Sequence, residues 1–200
     1  MTKAIMIDAD TQNDLMRREG ALYVPEAEDI LPRVADLMDY ASDFRIPVIS
    51  TMLVHKADDP EVHRFGQHCM KGTWGGQKID GTLLDDRIHL SLDWEPPLPD
   101  DALEHQQIVI ETRQFDPFEE PAMHEVIVGM NKPRCLVFGV PTEFSVRDIC
   151  LGLIRHGCRV ALILNATRSM REAAGRDAIE EIKAKGVEFI TTAEVLRVAV

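Results

Sequence analysis

The chain has 200 residues, 45% of them hydrophobic and 28% charged, with a formal net charge of −12. That length and balance fit one globular domain spanning residues 1–200, with a substantial core. The acidic charge argues against a nucleic-acid partner, since such interfaces are basic, and no apolar run reaches the ~18 residues of a membrane span.

In chain order, KAIMIDA is a short apolar run ending in carboxylates and predicts a buried strand. EAEDILPRVADLMDYASDF carries Ile30, Val34, Leu37, Met38 and Ala41 at helical spacing, with Pro32 suited to the first turn. RIPVIST is a second strand. Residues 53–100 are polar and rich in Gly, Pro and His, and read as one long functional loop. QQIVIET is a third strand, EEPAMHEVIVGM a helix and RCLVFGV a fourth strand. TEFSVRDICLGLIRHG is a helix, with Thr142 as its natural N-cap and Gly157 as its stop. CRVALIL, the helix MREAAGRDAIEEIKAKG, the strand VEFIT and a closing helical turn in AEVLRVAV complete the pattern.

Strands apolar throughout, alternating with helices, predict a three-layer α/β/α fold around a parallel six-stranded sheet. Ligands of such sheets bind beyond the carboxyl ends of the strands. Those ends are Asp8 to Asp10, Thr51 to His55, Glu111 to Arg113 and Gly139 to Ser145, so four separated segments are expected to meet. The N-terminus shows no basic region and cleavage site. Cys69, Cys135, Cys150 and Cys158 show no CxxC pairing, which fits reduced thiols and a cytoplasmic location.

DTQND, HC-x-x-GT-x-G at His68 to Gly75, ETRQFDPF and GVPTEFSV occur in this order and register. Together they resemble the isochorismatase-like cysteine hydrolases, the superfamily that includes nicotinamidases, over nearly the whole chain. The resemblance implies an Asp–Lys–Cys triad in which Cys attacks an amide or related carbonyl. The Asp falls on Asp10. The Lys position, six residues before Phe118, is Thr112, and the Cys position, six residues after Gly139, is Ser145. The family oxyanion donor two residues after Gly139 falls on Pro141, which has no N–H. Losing one such donor costs on the order of 2.7–4 kcal/mol in the barrier. The Val140–Pro141 bond is expected to be cis, as in the family.

Metal-binding members hold their ion with an Asp and His residues after the second strand. His55 matches one His, the Asp position is Leu53, and His63 and His68 are the further candidates. With the set incomplete, the expectation is no cofactor, with a divalent metal at His55, His63 and His68 as the alternative.

Each position also has a plainer reading. Ser145 is either a nucleophile or a filler of the first helical turn. A serine needs a better base than a lone carboxylate; the strand ends supply none, and His55, His63, His68 and Lys71 of the long loop are the candidates. Cys150 lies about 140° round the helix from Ser145 and is expected in the core. Phe115 and Phe118 either line a pocket wall or pack. Trp74 either stacks on a planar ligand or seals a subunit contact.

Three functions follow. The first is a degenerate family member that keeps a pocket for a small, planar, carbonyl-bearing ligand. The second is an active hydrolase using Ser145 or an Asp10-activated water. The third is a structural subunit, in line with the dimers and tetramers that the family forms.

Overall fold

The alternating strand and helix runs build a parallel sheet with a helical layer on each face, seen in a computed structural model that describes residues 4–197. The strands are β1 Ala4–Ala9, β2 Val48–Leu53, β3 Arg87–Leu90, β4 Gln107–Thr112, β5 Arg134–Gly139, β6 Arg159–Thr167 and β7 Glu188–Ile190. Their order is β3-β4-β2-β1-β5-β6-β7, and every neighbouring pair is parallel. Residue 3 of the first expected strand and residues 198–200 of the last expected helix lie outside the described residues.

The sheet has seven strands rather than the six expected. The extra one, β3, comes from the segment read as loop and pairs only with β4. Its sequence, RIHL, is short, half polar and mostly solvent-facing, so no buried apolar run marks it.

After the single helical turn α1 (Asn13–Met16), one face of the sheet packs Met6, Leu136 and Phe138 against α2 (Leu31–Asp43) and α7 (Thr192–Arg197), through Val34, Leu37, Met38 and Val195. The other face packs Ile7, Ile110 and Val137 against α4 (Pro121–Gly129), α5 (Arg147–Arg155) and α6 (Glu172–Ala184). Met123, Val126, Ile149, Leu153 and Ile182 supply those helical contacts, and Cys150 joins them as expected. No described helix is long and apolar enough to cross a membrane.

The motif DTQND is the hub that ties β1 to the long loop. Gln12 Nε2 donates to the carbonyls of Leu53 and Gly76, each at 2.8 Å, and its Oε1 accepts from Leu53 N at 2.7 Å. Asp14 accepts from the N–H of Cys69 at 2.7 Å and of Ala21 at 2.9 Å. These bonds satisfy backbone groups of the β2 end and of the loop. They explain why DTQND and the glycine-rich GTWGG segment occur together.

Candidate active site

β1 ends at a left-handed residue, Asp10, with φ 45°. Its backbone N–H donates to Thr51 Oγ1 at 3.2 Å, and the Thr51 hydroxyl donates to Asp10 Oδ1 at 2.5 Å. Its other carboxylate oxygen, Oδ2, accepts a short hydrogen bond from Ser145 Oγ. Both residues are closed off, with Asp10 1% and Ser145 0% exposed. Burial raises the Asp10 carboxyl to about 6, against the pull of the Ser145 and Thr51 hydrogen bonds and of the Lys78 charge.

Ser145 reaches Asp10 because β5 ends in Gly139 at φ 113°, where a Cβ would lie 2.1 Å from the Ala9 carbonyl oxygen. Only glycine lets β5 approach β1 this closely. The chain then passes through a cis Val140–Pro141 bond, as expected, into a π-helical turn, Thr142–Val146, ahead of α5. Thr142 does not cap a helix as expected. Its hydroxyl shares a 2.9 Å hydrogen bond with Thr167, and the turn is closed instead by Val146 N donating to the Pro141 carbonyl at 3.2 Å. π-turns of this kind are common at functional sites.

The other expected residues divide. Thr112 is buried at the end of β4, where its hydroxyl faces the Met52 carbonyl at 3.5 Å rather than Asp10. Pro141 offers no N–H, and the Thr142 N–H already donates to the Arg168 carbonyl at 2.9 Å. Phe115 stacks on Phe144 at 5.0 Å and meets Phe65 edge-on at 5.6 Å, forming an aromatic cluster beside His68. Phe118 is not part of that wall. It belongs to the helical core on the other face, against Gly152 and stacked on His156 at 4.9 Å. Trp74 does not enter the site either. Half its surface is exposed, and it is its backbone carbonyl that accepts from Asn13, at 2.8 Å.

A second cluster lies at the end of β2. His55, Glu61 and His68 present ligand atoms within 4.8 Å of one another. Both ring nitrogens of His55, Glu61 Oε2 and His68 Nε2 are buried without a well-formed hydrogen bond among the described residues, although His55 Nδ1 stands 3.4 Å from Asp59 Oδ2. His68 Nδ1 lies 2.8 Å from the Gly66 carbonyl, which can only accept, so Nδ1 carries the proton and Nε2 presents its lone pair. Glu61 Oε1 is held by Phe115 N at 3.2 Å, and its free oxygen stands 3.7 Å from His55 Nε2. Burial lowers both histidines and raises Glu61 to about 7. The expected third member, His63, is absent from this cluster. It follows Glu61 by two residues on the short helix α3 (Pro60–Phe65), about 200° further round, and faces solvent.

The loop cations proposed as helpers do not reach Asp10, but an unforeseen one lies close behind it. Lys78 is 5% exposed, with Nζ 2.8 Å from Asp8 and 3.0 Å from the Thr51 carbonyl oxygen. The signal available in sequence was slight: a lone Lys before Ile79 in GTWGGQKID, brought inward by a bridge to Gln12.

A buried carboxylate–hydroxyl pair and a His/Glu cluster at the strand ends of a parallel three-layer fold make up the candidate site. The sequence matches the Isochorismatase domain over residues 4–89 and 92–194, and the chain belongs to that family. It is 22% identical to nicotinamidase of Saccharomyces cerevisiae over 92% of this chain and 98% of that protein. Its fold matches the zinc complex of Pyrococcus horikoshii pyrazinamidase, with TM-score 0.75 and 23% identity over 94% and 99% of the two chains. It also matches nicotinamidase/pyrazinamidase of Bacillus subtilis, with TM-score 0.77 and 17% identity over 94% and 98%.

Proposed function

We propose that the chain is a serine-dependent hydrolase of a small, planar amide or ester, with Ser145 as nucleophile and Asp10 as its base. The observation that carries this is the Ser145 hydroxyl donating to the buried Asp10 carboxylate. A carboxyl near 6 is mostly ionised at neutral pH and still basic enough to accept a proton in a transition state. Ser145 Oγ would add to the ligand carbonyl carbon as its proton passes to Asp10 Oδ2. Collapse would expel an amine or alcohol that takes that proton. Water would then cleave the Ser145 ester, with Asp10 again accepting and returning the proton.

The residues present fit a divalent metal, because buried, unpartnered nitrogen and carboxylate atoms are costly unless something binds them. His55, Glu61 and His68 would hold it, the carboxylate coming from α3 in place of the position occupied by Leu53. Such an ion polarises a carbonyl or a bound water.

A second reading, ligand binding without turnover, is favoured by the backbone after β5. Pro141 has no N–H and that of Thr142 is spent on Arg168, so oxyanion stabilisation there is weak. The four buried free thiols support a reducing, cytoplasmic setting, and the half-exposed Trp74 ring supports contact with a second copy of the chain. A serine-directed fluorophosphonate decides between the two main readings. Labelling of the wild type but not of Ser145→Ala supports turnover chemistry; no labelling leaves the binding reading.

A further inference from the structure

A lysine sealed inside a protein demands a reason. Burying an ammonium costs several kcal/mol unless its partners compensate, and an ion pair in its place is often no more stabilising than apolar packing. Lys78 is paired with Asp8, which is itself 0% exposed and also accepts from Thr11 Oγ1 at 2.7 Å and Ser50 Oγ at 2.9 Å. The second contact of Lys78 is the informative one. Its Nζ donates to the carbonyl of Thr51, the residue whose hydroxyl donates to Asp10 Oδ1. A continuous chain therefore runs from Lys78 through Thr51 to Asp10 and on to Ser145.

We infer that Lys78 is a positioning residue for Asp10: its ammonium anchors the Thr51 peptide whose side chain orients the carboxylate, and it sets a fixed positive charge behind that carboxylate. The inference concerns Asp10 itself, and its consequence for reactivity rests on the reading of Ser145 as nucleophile. Asp8 and Lys78 are the charged groups that act on Asp10, with Glu61 and the Cys69 thiol also within electrostatic reach. The Lys78 effect on Asp10 is favourable to ionisation and larger than the opposing effect of Asp8.

Two variants separate positioning from packing. Lys78→Gln keeps a donor but removes the charge. Asp8→Val/Lys78→Met removes the whole pair, a replacement that buried ion pairs often tolerate. For each, the full chain is melted to confirm a cooperative fold, and the Asp10 carboxyl is titrated by carbon-13 NMR, with Asp10→Asn identifying its resonance. The Asp10 midpoint is expected to rise by ~0.5 unit or more in folded Lys78→Gln, as loss of a nearby cation requires, and by less in folded Asp8→Val/Lys78→Met, where the opposing Asp8 charge goes too. A half-unit rise takes the ionised fraction at pH 6 from about a half to about a quarter, so fluorophosphonate labelling of Ser145 there falls about two-fold. An unmoved midpoint in a folded variant, or loss of folding in both variants, overturns the inference and makes Lys78 a packing residue. A wild-type chain that takes no label refutes the Ser145 reading alone, and the Asp10 midpoint still decides the role of Lys78.

Discussion

Ser145 donates its hydroxyl to Asp10 across 135 residues of sequence, with both side chains buried. Two parallel strands, β1 and β5, deliver this contact, and the absence of a side chain at Gly139 permits it. The pair is a property of the sheet register rather than of any local motif.

Ionisation of Asp10 should set a pH dependence of stability. Its folded-state value of about 6 lies above the ordinary 3.8, so the folded chain binds the extra proton in that window. The associated stability is fully present below the ordinary value and is lost as pH rises through about 6. The full span corresponds to on the order of 3 kcal/mol. Urea melts from pH 4 to 7.5 should show wild type losing ground to Asp10→Asn as pH rises. Parallel curves for the two proteins would refute the raised value.

Gly139→Ala should be among the most damaging substitutions to stability. A Cβ there meets the Ala9 carbonyl oxygen at 2.1 Å, and the φ of 113° strains any L side chain. Strain and overpacking together predict a loss of roughly 2–5 kcal/mol. A urea midpoint like that of the wild type would contradict the close approach of β1 and β5.

The His55–Glu61–His68 cluster should bind zinc. At a free concentration 100-fold above Kd, linkage gives about 2.7 kcal/mol, or roughly 5–11 °C in melting temperature for a domain of this size. Chelation should reverse the shift. His68→Ala should abolish it and His63→Ala should leave it intact, since His63 faces solvent. Equal loss in both variants would place the metal elsewhere.

The contrast between His63 and Glu61 shows where sequence reasoning stops. Strand ends are legible because apolar runs mark the sheet and parallel sheets place ligands at one edge. That logic finds the strand-end segments that hold Asp10, Thr112 and Ser145; the roles of those positions and the cis Val140–Pro141 bond come from the resemblance to isochorismatase-like hydrolases. It cannot tell which face of a single-turn helix such as α3 turns inward, so a histidine was favoured over the glutamate two residues before it. Lys78 was missed for a related reason. Its direction is set by a bridge to Gln12, a tertiary contact with no local pattern. Whether Phe118 lines the pocket or packs is undecided in sequence because an aromatic after a strand can serve either face of the sheet, and the packing against Gly152 settles it.

Ser145→Cys should convert the site into a single reactive thiol. All four native cysteines are buried, and burial raises Cys69 well above its ordinary range and Cys150 to about 12. Cys158 is the exception, its thiol lowered by the hydrogen bond with Cys135, so iodoacetamide under native conditions should add one more carbamidomethyl group to the variant than to the wild type, read by intact mass. A variant modified no further than the wild type would show that small electrophiles do not reach position 145.

The central claim is that Asp10 and Ser145 act as one unit. The most direct test is the rate of fluorophosphonate labelling, followed by intact mass from pH 5 to 8 in the wild type and in Asp10→Asn, with Ser145→Ala as control. The account predicts one adduct per wild-type chain, a rate that rises with pH through about 6 and then levels, and a fall of ~100-fold or more in Asp10→Asn. No adduct on the wild type, or labelling of Asp10→Asn at the wild-type rate, would contradict it.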